Sequence, residues 1–379
     1  MWKVFRLTLF ATLILALAGC GGGGGSTSPI DEGQRVQHVI VLVMQNASFD
    51  HLFGTFPGAN GIRPGVPGFV QQDASGSNVS PFLLKDLAAP PLPEGEKPFR
   101  DAMNGGRMDR FAAVIGGISM GYYDESTPGM SVLWSYARQY ALADNYFSSV
   151  IAEAPSNQLY MVAADNNGAA FSWQPSFGPC NKPDPASTPL NFPNVADQLS
   201  ERNIEWAVYQ QSFGNCSAYV PLHDPFQFFT TTHSSNRRRD YSRFAQDISA
   251  NRLPAVSFVF PNNASDMHPG YGPITVGIEF IDTLVKRVQN SQYWDRTAIL
   301  ITWDTGGGWY DHVPPPQVDS QGLGSRVPLL VISPLAKRGH VSSVEMDHVS
   351  ILRFIQSNFG LPALNSRNSQ SANLSDMFQ

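Results

Sequence analysis

The chain has 379 residues, of which 42% are hydrophobic and 15% charged. This composition supplies apolar material for one large domain and is not that of a disordered chain. A formal net charge of −6, with no Lys/Arg run interleaved with aromatic residues, argues against a nucleic-acid partner. No internal period is visible, which argues against a repeat array.

The first 33 residues have the pattern of an export signal followed by a tether. Lys3 and Arg6 precede an apolar run from Leu7 to Leu17, and small residues lead to Cys20. The stretch LAGC (17–20) resembles the bacterial lipobox, in which the cysteine is lipidated; the alternative is an ordinary signal peptide with a chance cysteine. We expect a signal peptide at 1–19, a lipidated Cys20 with a Gly/Ser tether at 20–33, and a globular domain at 34–379. This organisation predicts a lipid anchor in a bacterial cell envelope, on the periplasmic or the outer surface.

Apolar runs and amphipathic segments alternate along the globular part. The runs rich in β-branched and aromatic residues predict buried strands at 38–44, 203–209, 255–260, 297–303 and 327–333. Helical patterns cover 131–143, 194–203, 275–291 and 348–360. The alternation predicts an α/β fold with a mostly parallel sheet and helices on both faces. Pro/Gly-rich connections at roughly 63–125 and 211–250 are expected to form loops or a cap.

Polar residues follow three of the predicted strands. Gln45 and Asn46 follow the first, Asp304 and Thr305 follow the fourth, and the segment 261–268 follows the third. Each alone is typical of a turn or a helix cap. Because functional groups of an open α/β sheet gather at the carboxyl ends of its strands, the three groups together predict one crevice.

Two cysteines remain after Cys20, namely Cys180 and Cys216. In an oxidising compartment such a pair more often forms a structural disulfide than a metal site, and their separation excludes close-spaced ligand motifs. We predict that they are bonded to each other.

A set of motifs in fixed order carries a resemblance to a known family. The motifs are NASFDHLFGTFPGANGI (46–62), NGGRMDRF (104–111), MGYYD (120–124), ALADNYFSSV (141–150), HDPFQFF (223–229), DMHPGYG (266–272), ITWDTGGGWYDHVPPP (301–316), RVPLLVISPLAKRGHV (326–341) and DHVSILRFIQSNFGLP (347–362). Together they resemble the bacterial phosphoesterase family of phosphatidylcholine-type phospholipases C and acid phosphatases. The resemblance implies an alkaline-phosphatase-like α/β fold and metal-assisted hydrolysis of phosphate mono- or diesters.

The resemblance also implies roles for individual residues. Asn46 and Asp304 match metal ligands of the family, with Gln45 and Thr305 at the neighbouring ligand positions, and the implied cofactor is a divalent ion. His268, His312 and His348 match its histidine positions and are expected to be catalytic. Arg100 and Asn157 are expected to bind substrate.

Three of these positions depart from the family's pattern. Gln45 and Thr305 stand where the family has acids, and Arg100 stands where it has a histidine. The ligand set therefore carries less negative charge, which weakens the binding of a hard cation. Asp144, Glu153 and Asp266 are candidates to replace the missing acids.

The nucleophile has two possible positions in AEAPSNQLYMVAA (152–164). Alignment on Pro155 makes Ser156 the nucleophile, at the start of a helix whose dipole favours a developing anion. Alignment on Asn157 places Ala154 there instead, and Ser156 is then a helix cap. We expect Ser156 to be the nucleophile.

The sequence thus predicts an exported, lipid-anchored phosphoesterase that acts on a phosphate ester or a phospholipid headgroup. The alternative is a degenerate member of the family that binds an anionic phosphate or lipid headgroup without turnover. A third hypothesis is a surface scaffold that uses the loops at 63–100 and 311–326 to meet an envelope protein.

Overall fold

The computed structural model describes residues 1–2, 36–166, 168 and 190–379. Cys20, Cys180 and the predicted tether lie outside the described residues. The strands are β1 His38–Met44, β2 Gln71–Gln72, β3 Asn78–Val79, β4 Phe82–Leu83, β5 Gly121–Tyr122, β6 Ala141–Ala143, β7 Tyr146–Phe147, β8 Trp206–Gln210, β9 Arg238–Asp240, β10 Val256–Phe260, β11 Thr297–Trp303, β12 Leu329–Ile332, β13 His340–Ser342 and β14 Met346–Asp347.

The helices connect these strands. They are α1 Phe49–Phe53, α2 Glu96–Met103, α3 Phe111–Val114, α4 Met130–Gln139, α5 Ala154–Ala163, α6 Val195–Glu201, α7 Ser242–Ser249, α8 Ile274–Gln289, α9 His348–Phe359 and α10 Ser366–Gln370. None of the helices in the described ranges is both long and apolar enough to cross a bilayer.

Eight strands form the central sheet, in the order β13-β6-β12-β11-β1-β10-β8-β9. The neighbours of β1 and β10 are parallel to them, and β12 runs antiparallel to both β11 and β6. The central strands β1, β8, β10, β11 and β12 are buried almost throughout, as their apolar runs predict. Helix α4 contacts β6 and β12, and α6 and α7 contact β8. The predicted α/β class with a mostly parallel sheet is confirmed.

One predicted element was wrong in part. The helix predicted at 131–143 ends at Gln139, and Ala141–Ala143 forms β6 between β12 and β13. All three residues of β6 are buried, so their small side chains pack inside the sheet although alanine favours a helix in isolation.

The register of β1 and β11 determines where the crevice lies. Met44 is paired with Trp303, so the residues that follow these two parallel strands leave the sheet side by side. The Asp304 amide donates to the Met44 carbonyl at 3.1 Å, and the Gln45 amide donates to the Asp266 carbonyl at 2.8 Å. The ends of β1, β10 and β11 are therefore joined at one edge, as predicted.

Candidate active site

A crevice of about 240 Å³ lies at this edge of the sheet. Its described lining comes from the ends of β1 and β11, the start of α5, and three loops; the residues are Gln45, Asn46, Glu94, Gly95, Ala152, Glu153, Ala154, Pro155, Val220, Leu222, His223, Asn263, His268, Tyr271 and Thr305. Gln45, Asn46, Thr305 and His268 of the predicted site line it.

Asp304 forms the floor beneath Asn46 and Thr305. Its Oδ1 accepts from the amides of Asn46 at 3.3 Å and Thr305 at 2.8 Å, and its Oδ2 accepts from Gln158 Nε2 at 3.2 Å. Burial raises the pKa of Asp304 to about 7. The left-handed backbone of Asn46 (φ 56°), which asparagine tolerates better than most residues, turns the chain so that this contact forms.

The predicted metal ligands are close together, but they do not fit a divalent ion well. Thr305 Oγ1 donates to Asn46 Oδ1 at 3.0 Å, and both Asp304 oxygens already accept hydrogen bonds. Gln45 is buried, and its Nε2 has no hydrogen-bond partner among the described residues. Asp304 is the one carboxylate of the four predicted ligands, and the affinity for hard cations falls as the ligand charge falls. We derive no catalytic step through a metal at this position.

Sequence reasoning missed Glu94, which brings a carboxylate into the crevice from the loop before α2. Its Oε2 accepts a hydrogen bond from Asn46 Nδ2, and its Oε1 lies 3.4 Å from His268 Nε2. Burial disfavours the charged form of His268, but the hydrogen bond to Glu94 and its charge outweigh burial and raise the pKa to about 9. Glu94 lies between the family motifs at 46–62 and 104–111, so the signal available in the sequence was only an acid in a Pro-rich loop.

The predicted nucleophile Ser156 does not line the crevice. It is fully buried in α5, and its Oγ has no partner among the described residues. Ala154 is the first residue of α5 and lines the crevice instead. Consecutive helical residues point about 100° apart, so the side chain two positions further on leaves the face that Ala154 presents. The structure therefore brings Ala154, and not Ser156, to the crevice, and the role of Ser156 as the nucleophile stays a prediction that this placement does not support.

The two predicted substrate-binding residues have other contacts. Asn157 Oδ1 accepts from the Val150 amide at 3.0 Å, and its Nδ2 donates to the Ala152 carbonyl at 3.3 Å, so it holds the turn before α5. Arg100 Nε donates to Glu96 Oε1 at 2.9 Å on the solvent side of α2. Neither side chain lines the crevice, so the substrate-binding roles of Arg100 and Asn157 stay predictions that this placement does not support.

His348 and His312 also lie outside the crevice. His348 is buried beneath Asp304, where burial lowers its pKa to about 4. His312 Nδ1 lies 2.7 Å from Asp50 Oδ2, and its Nε2 lies 3.2 Å from Asn60 Oδ1. The catalytic roles of His348 and His312 stay predictions that their placement does not support, because neither ring lines the crevice.

His312 belongs to a buried ionic cluster with Asp50, Asp311 and Arg326. The ligand atoms of the two aspartates and His312 lie within 4.8 Å of one another, so this group is compatible in its atoms with divalent metal use. Arg326, however, donates to Asp50 at 2.8 Å and to Asp311 at 3.0 Å, and it also donates to the carbonyls of Asn60 and Asp144. The guanidinium therefore supplies the cation of this cluster.

The candidate replacement acids have different positions. Glu153 lines the crevice, and burial, together with the charges of Glu94 and Glu96, raises its pKa. Asp266 is buried behind the crevice wall, with its Oδ2 3.6 Å from His223 Nε2. Asp144 accepts from Ser343 and Asn60 elsewhere in the fold. Only Glu153 of the three reaches the crevice.

His223 both anchors a loop and lines the crevice. Its Nδ1 lies 2.9 Å from the Pro261 carbonyl, and burial lowers its pKa to about 4, so it is neutral near pH 7. The neighbouring Asp224 accepts from Arg238 Nε at 2.6 Å, and this buried pair anchors the same loop.

Comparisons with known proteins agree with the family resemblance of the sequence motifs. The model of the Phosphoesterase family matches residues 36–362. Phospholipase C A of Mycobacterium tuberculosis is 27% identical over 87% of this chain and 74% of its own length. Non-hemolytic phospholipase C of Burkholderia pseudomallei is 25% identical over 86% of this chain and 55% of its own.

Among solved structures, a protein in the alkaline phosphatase superfamily from Vibrio parahaemolyticus covers 91% of this chain and 71% of its own, with a TM-score of 0.45 and 10% identity. The family match and the phospholipase C relatives support a hydrolase that acts on phosphate esters. From Val36 to Pro362, this chain belongs to the Phosphoesterase family.

Proposed function

We propose that the protein hydrolyses phosphate esters of the phospholipid-headgroup class in the crevice at the ends of β1, β10 and β11. The observation that carries the proposal is that Asn46, Thr305 and His268 line one crevice with the amino end of α5. An amide donor, an imidazolium and a helix amino terminus are groups that bind phosphoryl oxygens. The phospholipase C relatives support the substrate class.

Water is the attacking group that this crevice favours. Ala154 offers no hydroxyl at the start of α5, and Thr305 Oγ1 is hydrogen-bonded to Asn46. A bond forms between the water oxygen and phosphorus, and the bond between phosphorus and the ester oxygen breaks. Asn46 Nδ2 and the amino end of α5 stabilise the charge that develops on the phosphoryl oxygens.

Two titratable side chains of the lining are suited to the proton transfers. Burial raises the pKa of Glu153, which makes its carboxylate a better acceptor for the proton of the attacking water. His268, whose pKa is raised to about 9, carries a proton that it can donate to the leaving oxygen. The products are an alcohol and a phosphate or phosphorylated headgroup.

A second candidate function is binding of a phosphate or headgroup without turnover. Ala154 in the nucleophile's position and the amide of Gln45 favour it, because both remove groups that the family uses for chemistry. A protein with this function would still bind the anion through the groups of the crevice, but it would not hydrolyse the ester.

The test compares hydrolysis of bis(4-nitrophenyl) phosphate and nitrophenyl phosphorylcholine by the wild-type domain, two variants of the predicted site and one control variant. We expect His268→Asn to lower kcat/KM by about 100-fold or more, and Ser156→Ala to stay within about twofold. His233→Asn is the matched control, since His233 is exposed and outside the crevice lining. Absence of turnover in a folded wild-type protein that still binds inorganic phosphate would favour the second candidate.

We further propose that the protein is exported and anchored through a lipid on Cys20, and that Cys180 and Cys216 are bonded. The signal-like sequence and the two later cysteines support this. Mass spectrometry of the mature protein tests both points: a diacylated amino-terminal cysteine is expected, with no thiol available for alkylation. An uncleaved or unacylated chain would overturn the anchor, and two alkylated thiols would overturn the bond.

A further inference from the structure

His268, the positively charged side chain of the crevice, is already paired with a carboxylate of the protein, that of Glu94. Among the described residues that line the crevice there is no Lys or Arg, and His223 is neutral near pH 7. His268 is therefore the one positively charged side chain of this lining, and Glu94 Oε1 lies 3.4 Å from its Nε2. An incoming phosphate does not meet a free positive charge.

Glu94 also uses the second donor that a phosphate needs. Its other carboxylate oxygen accepts from Asn46 Nδ2. The carboxylate thus contacts both side-chain donors to which we assign the phosphoryl oxygens. A planar carboxylate with two acceptor oxygens resembles, in charge and hydrogen bonding, one edge of a phosphate group.

The loop that carries Glu94 is packed in place by its neighbours. Gly270 donates to the Ala89 carbonyl at 2.8 Å, and Leu92 is buried. Gly95 has a φ of 91°, a backbone conformation that residues with a side chain rarely adopt, so the turn directly after Glu94 requires glycine. The position of Glu94 is thus determined by the fold, although its side chain remains 37% exposed.

We propose that Glu94 is a specificity-determining residue: an internal anion that selects substrates by charge, against dianionic phosphomonoesters and in favour of monoanionic phosphodiesters. The inference rests on the proposed function of the same crevice. A monoester carries nearly two negative charges at pH 7, because its second pKa is about 6, whereas a diester carries one. Glu94 and Glu153 face the bound ester, and each repels a dianion more than a monoanion.

Removal of the charge at position 94 should therefore raise the hydrolysis of monoesters more than that of diesters. In Glu94→Gln the amide keeps the size of the side chain but carries no charge that repels the ligand. A phosphate bound in place of the Glu94 carboxylate then supplies the negative charge that keeps the proton on His268. We expect the ratio of kcat/KM for nitrophenyl phosphate to kcat/KM for bis(4-nitrophenyl) phosphate to rise by about tenfold or more at pH 7. The affinity for inorganic phosphate, measured by calorimetry, should rise by a similar factor.

Glu96→Gln is the matched control. Glu96 lies in the first turn of α2, where it binds Arg100 outside the crevice lining. Its charge also acts on Glu153, but that effect is the same for both esters, so the ratio and the phosphate affinity should stay unchanged within about twofold. This variant removes the same charge from the same loop-to-helix region without changing the contacts of His268.

Two results would overturn the inference: an equal change of both esters in Glu94→Gln, which indicates a positioning role without charge selection, or an unchanged phosphate affinity. A wild-type protein that hydrolyses neither ester would overturn the proposed function instead. The calorimetric comparison of wild type and Glu94→Gln with inorganic phosphate needs no turnover, so it tests Glu94 in either case.

Discussion

Nε2 of His348 lies 2.8 Å from the main-chain oxygen of Asp304, and its Nδ1 lies 2.8 Å from the hydroxyl of Tyr146. The ring is fully buried at the start of α9. With the low pKa that burial gives it, His348 is neutral and uses both nitrogens to hold the turn that carries Asp304 and Thr305. His348 therefore has a structural role: it stabilises the turn behind the crevice.

Substitution of this histidine should act mainly on stability. His348→Phe removes both hydrogen bonds and leaves two buried polar groups without that partner, so we expect a loss of about 3 kcal/mol in the free energy of unfolding. Tyr146→Phe removes one of the two contacts and should cost about 1 kcal/mol. Urea denaturation checks both values. A fully stable His348→Phe protein without activity would contradict the supporting role.

Ser156→Ala should leave turnover intact and slightly stabilise the protein. The Ser156 hydroxyl is buried without a partner, so its removal relieves a desolvation cost of about 1 kcal/mol. Ser149→Ala is the matched control, because Ser149 Oγ donates to Asp347 at 2.8 Å and its loss should destabilise by about 1–2 kcal/mol. Melting temperatures and kcat/KM of the two variants measure the contrast. Loss of turnover in Ser156→Ala would restore it as a nucleophile candidate.

Arg326→Met should destabilise the fold strongly. The substitution leaves the carboxylates of Asp50 and Asp311 buried without the guanidinium that pairs with them, and breaking a buried pair costs about 3–5 kcal/mol. Arg338→Met, at an exposed loop position, should change the free energy of unfolding by less than about 0.5 kcal/mol.

Divalent ions provide a second measurement on the same variant. We expect millimolar Mg²⁺ or Ca²⁺ to leave the melting temperature of the wild type unchanged, because the guanidinium already lies between the two carboxylates. In Arg326→Met the ligand atoms of Asp50, Asp311 and His312 are released, and the ions should recover part of the lost stability. Strong stabilisation of the wild type by these ions would contradict this assignment.

The contribution of His51 to stability should depend on pH. This side chain is stacked on Trp309 with ring centroids 3.7 Å apart, and burial lowers its pKa to about 3, against about 6.5 in the unfolded chain. Between about pH 3 and pH 6.5 the unfolded state binds more protons than the folded state. The stability that neutral His51 contributes is therefore fully present above pH 6.5 and is lost as the pH falls toward about 3.

The measurement is the difference in unfolding free energy between wild type and His51→Phe. We expect the wild type to lose about 2 kcal/mol relative to the variant between pH 7 and pH 4.5. His233→Phe, at an exposed histidine, should show a difference that does not change with pH. A pH-independent difference for His51→Phe would mean that His51 is not buried in its neutral form.

The sheet and one edge of the site follow from local patterns in the sequence. The apolar runs of β1, β10 and β11 are long and β-branched enough to be recognised locally, and parallel strands bring their following residues to one edge. The sequence therefore predicts that Asn46, Asp304, Thr305 and His268 lie together.

Which side chains face the crevice depends on how the helices and loops pack on the sheet. Ala154 and Ser156 are two residues apart, and the rotation of α5 turns one toward the crevice and buries the other. The position of α5 depends on its packing against α9, which the local sequence does not specify.

The place of Glu94 in the site also depends on tertiary packing. It lies in a loop without periodicity, and its contacts are to Asn46, 48 residues earlier, and to His268, far later in the chain. Such contacts form when distant segments pack together, so local patterns contain little information about them. The sequence determined the scaffold, and the packing of loops and helices on it determined the charge within the crevice.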